Sequence, residues 1–485
     1  MTSPRTWLKR RVLELVSSRN ESRRRELGQV GGLPPEAWGA KVQDGRLNIG
    51  GCDVPALARE FGTPLYVVDE GKLRSDFAGF IGAFRAVYPK VELGYSYKTN
   101  PLPGVIRVLH ECGALAEVIS HYELWLALQL GVAPSNIIFN GPAKTPQSIA
   151  LAVERRVKLI NVDGLDEIDT IAQAAARFGV TQPVGVRVVT SVGWQAQFGL
   201  RIGTGEALEA FERIKAHPRL EPVGLHVHLG TGIKEVPVYL RAIREMLEFA
   251  RQLEAGAGTR LRYFDFGGGF GVPTVQPFSA WDARLSLNRL PVSPVETLKT
   301  PRAEDYAAPI AQLLREHYSE ADLPTIAFEP GRALSSSAQS LVLQVLAVKR
   351  GRDGMTRIIL NGGKNLALPT GYEYHEILAA SRMNAALEGN VNFYGPLCHP
   401  GDVLFVEKPF PRIEAGDFVA VMDAGAYFVP NQMNFSNPRP GAVLVRDGQS
   451  RLIRRPESFE DMVRLDAPIW PSPEPDSGDS RTAGR

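Results

Sequence analysis

The chain has 485 residues, with 55 Lys and Arg against 53 Asp and Glu, so its net charge of +2 gives no electrostatic case for a nucleic-acid or membrane partner. At 22% charged and 44% hydrophobic it has the make-up of a soluble globular protein, long enough for two or three domains. Its three cysteines, Cys52, Cys112 and Cys398, lie far apart without a CxxC pair, which argues against a disulfide framework or a structural zinc site and fits a reducing cytoplasm.

Residues 1–40 read as a basic, partly helical extension. Its apolar segment is short and no cleavage-like site follows, so a signal peptide is not expected. No apolar run is long enough to span a bilayer. Residues 41–61 contain an early strand expected to join a later β-domain. From residue 62 a repeating pattern begins. VELGYSY, ALAEVIS, NIIFN, KLINVD, VGVRVVT, GLHVHLG, YFDFGGG and TIAFEP are short apolar or alternating runs, most separated by helix-like segments such as HYELWLALQL. Eight strands with intervening helices match a (β/α)8 barrel over residues 62–332, although an open doubly wound sheet would give a similar string. A proline-containing insertion, VPTVQPFSAWDARLSLNRLPVSP, interrupts the last part. After Arg332 the texture turns β-rich: SLVLQVLAVKR, TRIILNGG, DVLFVEK, DFVAVMDAG, GAVLVRDG and SRLIRR predict a second, C-terminal β-domain over residues 333–469. Residues 470–485 are a Pro/Ser/Gly-rich tail expected to be disordered.

In such a barrel the active site lies at the C-terminal ends of the strands, and the reactive residues crowd there. Alternation in VELGYSYKTNP puts Leu93, Tyr95 and Tyr97 on one face and Ser96 and Lys98 on the other. Alone, Lys98 reads as a surface lysine; at a barrel rim it reads as an amine able to form a Schiff base with a carbonyl cofactor. Glu117, Ser120, Asn140, Asp163, His228, the glycines from Gly267 and Glu329 end the next strands. FDFGGGFG is not a dinucleotide fingerprint, because the spacing is wrong and Pro273 follows. It reads either as a plain flexible turn or as a place where backbone N–H groups converge on a phosphate. His228 is either a satisfied core histidine or a flat ring that stacks on a heterocycle. Glu329 follows an apolar run, so burial should raise its pKa unless a cation shares the site; Arg332 could be that cation.

Six ordered motifs carry a family resemblance: YSYKTNP with Lys98, HVHLGTG at 226–232, GGGFG at 267–271, EPGR at 329–332, GPLCHPGD at 395–402 and DAGAY at 423–427. Together with DGRLNIGG and FGTPLYVVDE, they resemble the fold-type III pyridoxal-phosphate decarboxylases of the ornithine, diaminopimelate and arginine decarboxylase family. The likeness is closest to the diaminopimelate decarboxylase branch and spans about residues 45–466. The resemblance implies a TIM barrel with a C-terminal β-domain and pyridoxal 5'-phosphate bound to Lys98. His228 is then stacked on the ring, and Glu329 pairs with the ring nitrogen. Thr231, Gly267, Gly268, Gly269, Gly331, Arg332 and Tyr427 are implied around the cofactor. Cys398 is implied as a proton donor supplied by the other subunit of a homodimer. No metal is implied.

Two departures fall on the substrate side. His399 stands where this branch has an acid for the substrate's distal ammonium, and Leu368-Pro369 stands where it has an arginine for the distal carboxylate. Losing both clamps costs roughly several kcal/mol for a buried diaminopimelate end. Arg332, Tyr372, His399 and Lys364 remain as substrate-binding candidates, with His375 as a further compensating group. The expected reaction is α-decarboxylation of an amino acid, with meso-diaminopimelate to L-lysine as the family's case. The alternatives are a larger or carrier-bound amino acid of siderophore or antibiotic assembly, an amino-acid racemase, or a non-catalytic homologue.

Overall fold

The computed structural model describes residues 4–27, 33–293 and 300–466. The disordered tail expected at 470–485 lies outside the described residues. The eight runs found in the sequence are eight parallel strands: β1 (Val91–Ser96), β2 (Leu115–Val118), β3 (Ile137–Phe139), β4 (Leu159–Val162), β5 (Gln182–Val189), β6 (Leu220–His226), β7 (Tyr263–Asp265) and β8 (Thr325–Phe328). Each pairs with the next, and β8 returns to β1 through Ile326 opposite Val91, so the sheet closes and the open-sheet alternative falls. Leu115, Ile138, Leu159, Val223, Tyr263 and Ala327 fill the barrel interior, away from the polar rim. Helices cover the outside, and their starts are written locally. Asp69, Ser120 and Thr145 each accept a backbone N–H of the first turn of the helices Glu70–Arg85, His121–Gln129 and Pro146–Arg155.

The second sheet is built around the long strand Gln339–Arg350, which pairs with Thr356–Leu360, Phe418–Val421 and Leu65–Asp69. Gly441–Arg446 then pairs in parallel with Leu65–Asp69. Leu65–Asp69, expected at the start of the barrel, therefore belongs to the β-domain, and the barrel proper begins after it. All five residues of this strand are buried, and its pairing with Gln339–Arg350 on one side and Gly441–Arg446 on the other sets it in the middle of the second sheet. The early segment differs as well. Ala40–Gln43, Arg46–Ile49 and Cys52–Asp53 form their own three-stranded antiparallel sheet, docked on the β-domain rather than woven into it. Close approach fixes that docking: at Gly51, with φ of 84°, an added Cβ would lie 2.6 Å from the Gly448 nitrogen. The N-terminal extension forms the helix Pro4–Leu27. It is tied to the body where Asn390 donates to Glu21 at 2.6 Å and Asn20 donates to the Pro291 carbonyl at 3.2 Å. No helix among the described residues is long and apolar enough to cross a membrane.

Candidate active site

A cavity of about 350 Å³ opens where the barrel strands end, within the size range of small-molecule sites. Strand β1 stops at Ser96, and a single 3-10 turn, Tyr97–Thr99, carries Lys98 over the rim. Two prolines close by, Pro101 and Pro103, prevent the ladder from continuing. The strand thus ends earlier than the alternation of VELGYSYKTNP implies: Tyr95 is buried in β1, Tyr97 is buried in the turn, and the turn, not the strand's pleat, brings Lys98 to the cavity. Lys98 Nζ donates to Glu117 Oε2 at 3.3 Å, and 32% of its side chain remains exposed. Burial alone would lower its pKa, but the negative charges of Glu117 and Glu329 outweigh burial and raise it.

Beneath the lysine runs a polar chain. Asn161 donates to Asn140 Oδ1 at 2.8 Å, and Asn140 Nδ2 donates to Glu117 at 3.0 Å and Glu329 at 2.6 Å. Ser96 Oγ donates at 2.5 Å to Glu117 Oε2, the oxygen that also accepts from Lys98. Glu329, at the end of β8, is almost fully enclosed. Burial pushes its pKa up, yet His226 at 3.3 Å, the Asp265 carboxyl and the Lys98 charge hold it well below the usual range. Asp265 goes the other way, raised well above normal by burial and by the Glu329 charge. Two buried acids thus share one negative charge, and it rests on Glu329.

His228 sits two residues beyond His226 on the same face. Burial and the Lys98 charge push it down to about 3, so its ring is neutral at working pH. Its Nδ1 accepts the Gly268 N–H at 3.3 Å, which leaves the proton on Nε2. The Trp194 ring lies 5.6 Å from it. The glycines after β7 form a cradle: a Cβ on Gly269 would lie 2.2 Å from the Gly230 oxygen, and one on Gly331 only 1.9 Å from Thr99 Oγ1. Thr231 and Tyr427 line the narrow recess these glycines leave. Tyr427 holds a φ of 66°, a left-handed conformation that costs a tyrosine on the order of 1–3 kcal/mol. Its N–H donates to the Thr99 carbonyl at 2.9 Å, which fixes that backbone against the rim.

Lys98, His228, Thr231, Glu329, Arg332, Tyr372 and Tyr427 meet in the one cavity. Arg332 pairs with Glu373, not with Glu329: Nη1 lies 3.0 Å from Oε2 and Nη2 2.5 Å from Oε1. His375 reaches Glu373 from behind at 3.4 Å. Cys398 and His399 are exposed on a loop outside the cavity, and His399 Nδ1 accepts the Gly401 N–H at 3.0 Å. Lys364 lines a neighbouring cavity. Ser120 is spent as a helix cap, and Asp163 holds Arg187 at 2.9 Å. Sequence reasoning did not single out His226, Asp265, Arg187, Trp194 or Glu373. Strand-end position would have found two of them, since His226 is the last residue of β6 and Asp265 the last of β7.

A closed parallel barrel with an amine, an ionised acid and a glycine cradle at its rim defines the pyridoxal-phosphate class of barrel enzymes, and comparison with known proteins agrees. Residues 75–336 match the family described as pyridoxal-dependent decarboxylase, pyridoxal binding domain. The chain is 30% identical over 433 residues to the diaminopimelate decarboxylase of Methanothermobacter thermautotrophicus, covering 87% of this chain and 95% of the relative. It is 31% identical over 439 residues to that of Actinosynnema pretiosum subsp. auranticum, covering 88% and 94%. The solved diaminopimelate decarboxylase of M. jannaschii in complex with L-lysine superposes with a TM-score of 0.80 at 27% identity, covering 88% of this chain and 97% of that one. The chain belongs to the pyridoxal-dependent decarboxylases: it is a carboxy-lyase that uses pyridoxal 5'-phosphate to decarboxylate an amino acid.

The residues fit that cofactor. The cavity presents a primary amine, and the cradle presents backbone where any side chain would clash. Glu329 offers a permanent negative charge to a protonated ring nitrogen, and the neutral His228 ring offers a flat face.

Proposed function

We propose that the chain removes the α-carboxylate of a diamino acid, with meso-diaminopimelate as the substrate its relatives point to and L-lysine as the product. The ionised Glu329 carries this reading against a racemase, because a negative charge there favours a protonated, electron-demanding ring. Intact Lys98 and His228 speak against a non-catalytic homologue. When bound, pyridoxal phosphate supplies an aldehyde for the substrate amine and a sink for the electrons left when CO2 departs.

The chain's own groups do the rest. Lys98 Nζ is the amine that would hold the cofactor's aldehyde in this cavity. Glu117 and Glu329 keep a resting Lys98 protonated. Thr231, the backbone of Gly267 to Gly269 and of Gly331, and the Tyr427 hydroxyl take the phosphate; Arg332, seated over the Tyr427 ring at 5.2 Å, adds positive charge beside it. Tyr372 borders the substrate space. Cys398 Sγ returns a proton to the α-carbon from the partner subunit of a homodimer, and His399 accompanies it. The exposure of this loop outside its own cavity supports that exchange. Three thiols without a disulfide support a cytoplasmic setting.

Release of CO2 from meso-diaminopimelate, lysine, ornithine and acylated diamino acids tests the reaction. Activity confined to an acylated or carrier-bound acid would replace the substrate. For the dimer, mixing inactive Lys98→Ala and Cys398→Ala proteins restores about a quarter of wild-type activity if subunits exchange; no recovery would refute a shared site.

A further inference from the structure

The Lys98 cavity contains two arginines, and both are engaged. Arg187 pairs with Asp163 at 2.9 Å, and Arg332 is held by both oxygens of Glu373. Lys98 is committed to the cofactor. A substrate with a second carboxylate therefore meets no unpaired cation in that cavity among the described residues.

Two stand next door, Lys364 and Arg289, and Arg289 donates to the Pro400 carbonyl at 3.1 Å. A second cavity, of about 320 Å³, adjoins the first at Glu373, whose side chain lines both. Its walls are largely apolar, with Phe278, Leu290 and Phe405 among them, and Lys364 stands in the wall. Lys364 Nζ donates to Thr370 Oγ1 at 2.6 Å, and among the described residues it makes no ion pair with a carboxylate. Burial pushes it down to about 7, with Asp402 the one charge working against that. A Cβ added to Gly371 would lie 3.5 Å from Nζ, so bare backbone separates the amine from Tyr372, which is back in the Lys98 cavity. A lysine without an acid, in the wall of a largely apolar cavity, suits a carboxylate carried on a methylene chain.

We propose that Lys364 is a specificity-determining residue: the substrate's side chain runs past Glu373, and its distal carboxylate docks on Lys364 Nζ, which Thr370 Oγ1 holds in place. This rests on the decarboxylase reading of the Lys98 site.

The test compares Lys364→Met and Lys364→Arg holoenzymes on meso-diaminopimelate and on D-lysine, which keeps the reacting centre and the chain but lacks the distal carboxylate. Lys364→Met should raise KM for diaminopimelate about 10- to 100-fold, with kcat and the D-lysine kinetics little changed, and Lys364→Arg should recover most of the loss. A second readout needs no turnover. Pimelate titrated calorimetrically into the protein should bind wild type with proton uptake above pH 7 and should not bind Lys364→Met. The charged and titratable groups facing Nζ are Asp402, Glu373, Arg289 and Tyr374, none of which the substitution removes. An unchanged preference between the two amino acids, or pimelate binding that survives Lys364→Met, overturns the assignment. A protein that releases CO2 from no amino acid overturns the reading of the Lys98 site instead, and the pimelate titration still decides Lys364.

Discussion

Replacing Glu117 by glutamine keeps the shape and an acceptor for Ser96 but removes the charge 3.3 Å from Lys98. At that distance, and in an effective dielectric near 20, the pair is worth about 5 kcal/mol before screening. Lys98 is 32% exposed to the cavity, so water takes a large part of it, and about 1–3 kcal/mol is the working figure. That lowers the Lys98 pKa by about one to two units. Only the neutral amine attacks an aldehyde, so the glutamine variant should capture pyridoxal phosphate faster at neutral pH, by about 10- to 100-fold. The assay follows growth of visible absorbance when cofactor is added to the apo-protein across a pH series. In Glu117→Gln the rising limb of the rate profile moves to lower pH by the same one to two units. A profile that superimposes on wild type would refute the claim that Glu117 governs the charge of this lysine.

Two further perturbations probe the scaffold. Glu123, held up to about 7 by burial and the Glu117 charge, keeps its proton in the folded protein where the unfolded chain, near 4.5, has lost it. The native state therefore binds more protons in that window, and stability falls as pH rises from about 4.5 to 7, by up to about 3 kcal/mol. Urea midpoints at pH 5 and pH 8 should show a smaller fall in Glu123→Gln than in wild type. Asp423 accepts from Trp38 Nε1 at 2.6 Å, Thr274 Oγ1 at 2.6 Å and Ser336 Oγ at 3.2 Å, joining the N-terminal segment, the barrel loop and the β-domain. Asp423→Ala leaves three buried donors unpaired and should cost on the order of 3–6 kcal/mol, read from denaturant unfolding with Trp38 fluorescence as the probe.

The barrel was legible because each strand is a short apolar run set off by a helix-like segment; Ser120, read from the sequence as a rim residue, is in the structure the cap of His121–Gln129. Closure was not legible, since only the pairing of Ile326 with Val91 distinguishes a barrel from an open sheet. The β-domain gave up six of its strands, but Leu387–Tyr394 was missed: Gly389, Asn390 and Asn392 break its apolar pattern, and its neighbours on both sides supply the order. Lys98 and Glu329 were readable from strand-end position. The partner of Arg332 was not, because Glu373 lies 41 residues away and only the fold brings them together. Leu65–Asp69 was assigned to the wrong sheet for a related reason. A fully buried strand reads the same in either domain, and its neighbours, Gln339–Arg350 and Gly441–Arg446, are remote in sequence.

The most direct measurement is borohydride reduction of the cofactor-loaded protein followed by peptide mapping. The account predicts one pyridoxyl group, on Lys98, and none in a folded Lys98→Ala protein. Label on another lysine, or none on wild type under saturating cofactor, would contradict it.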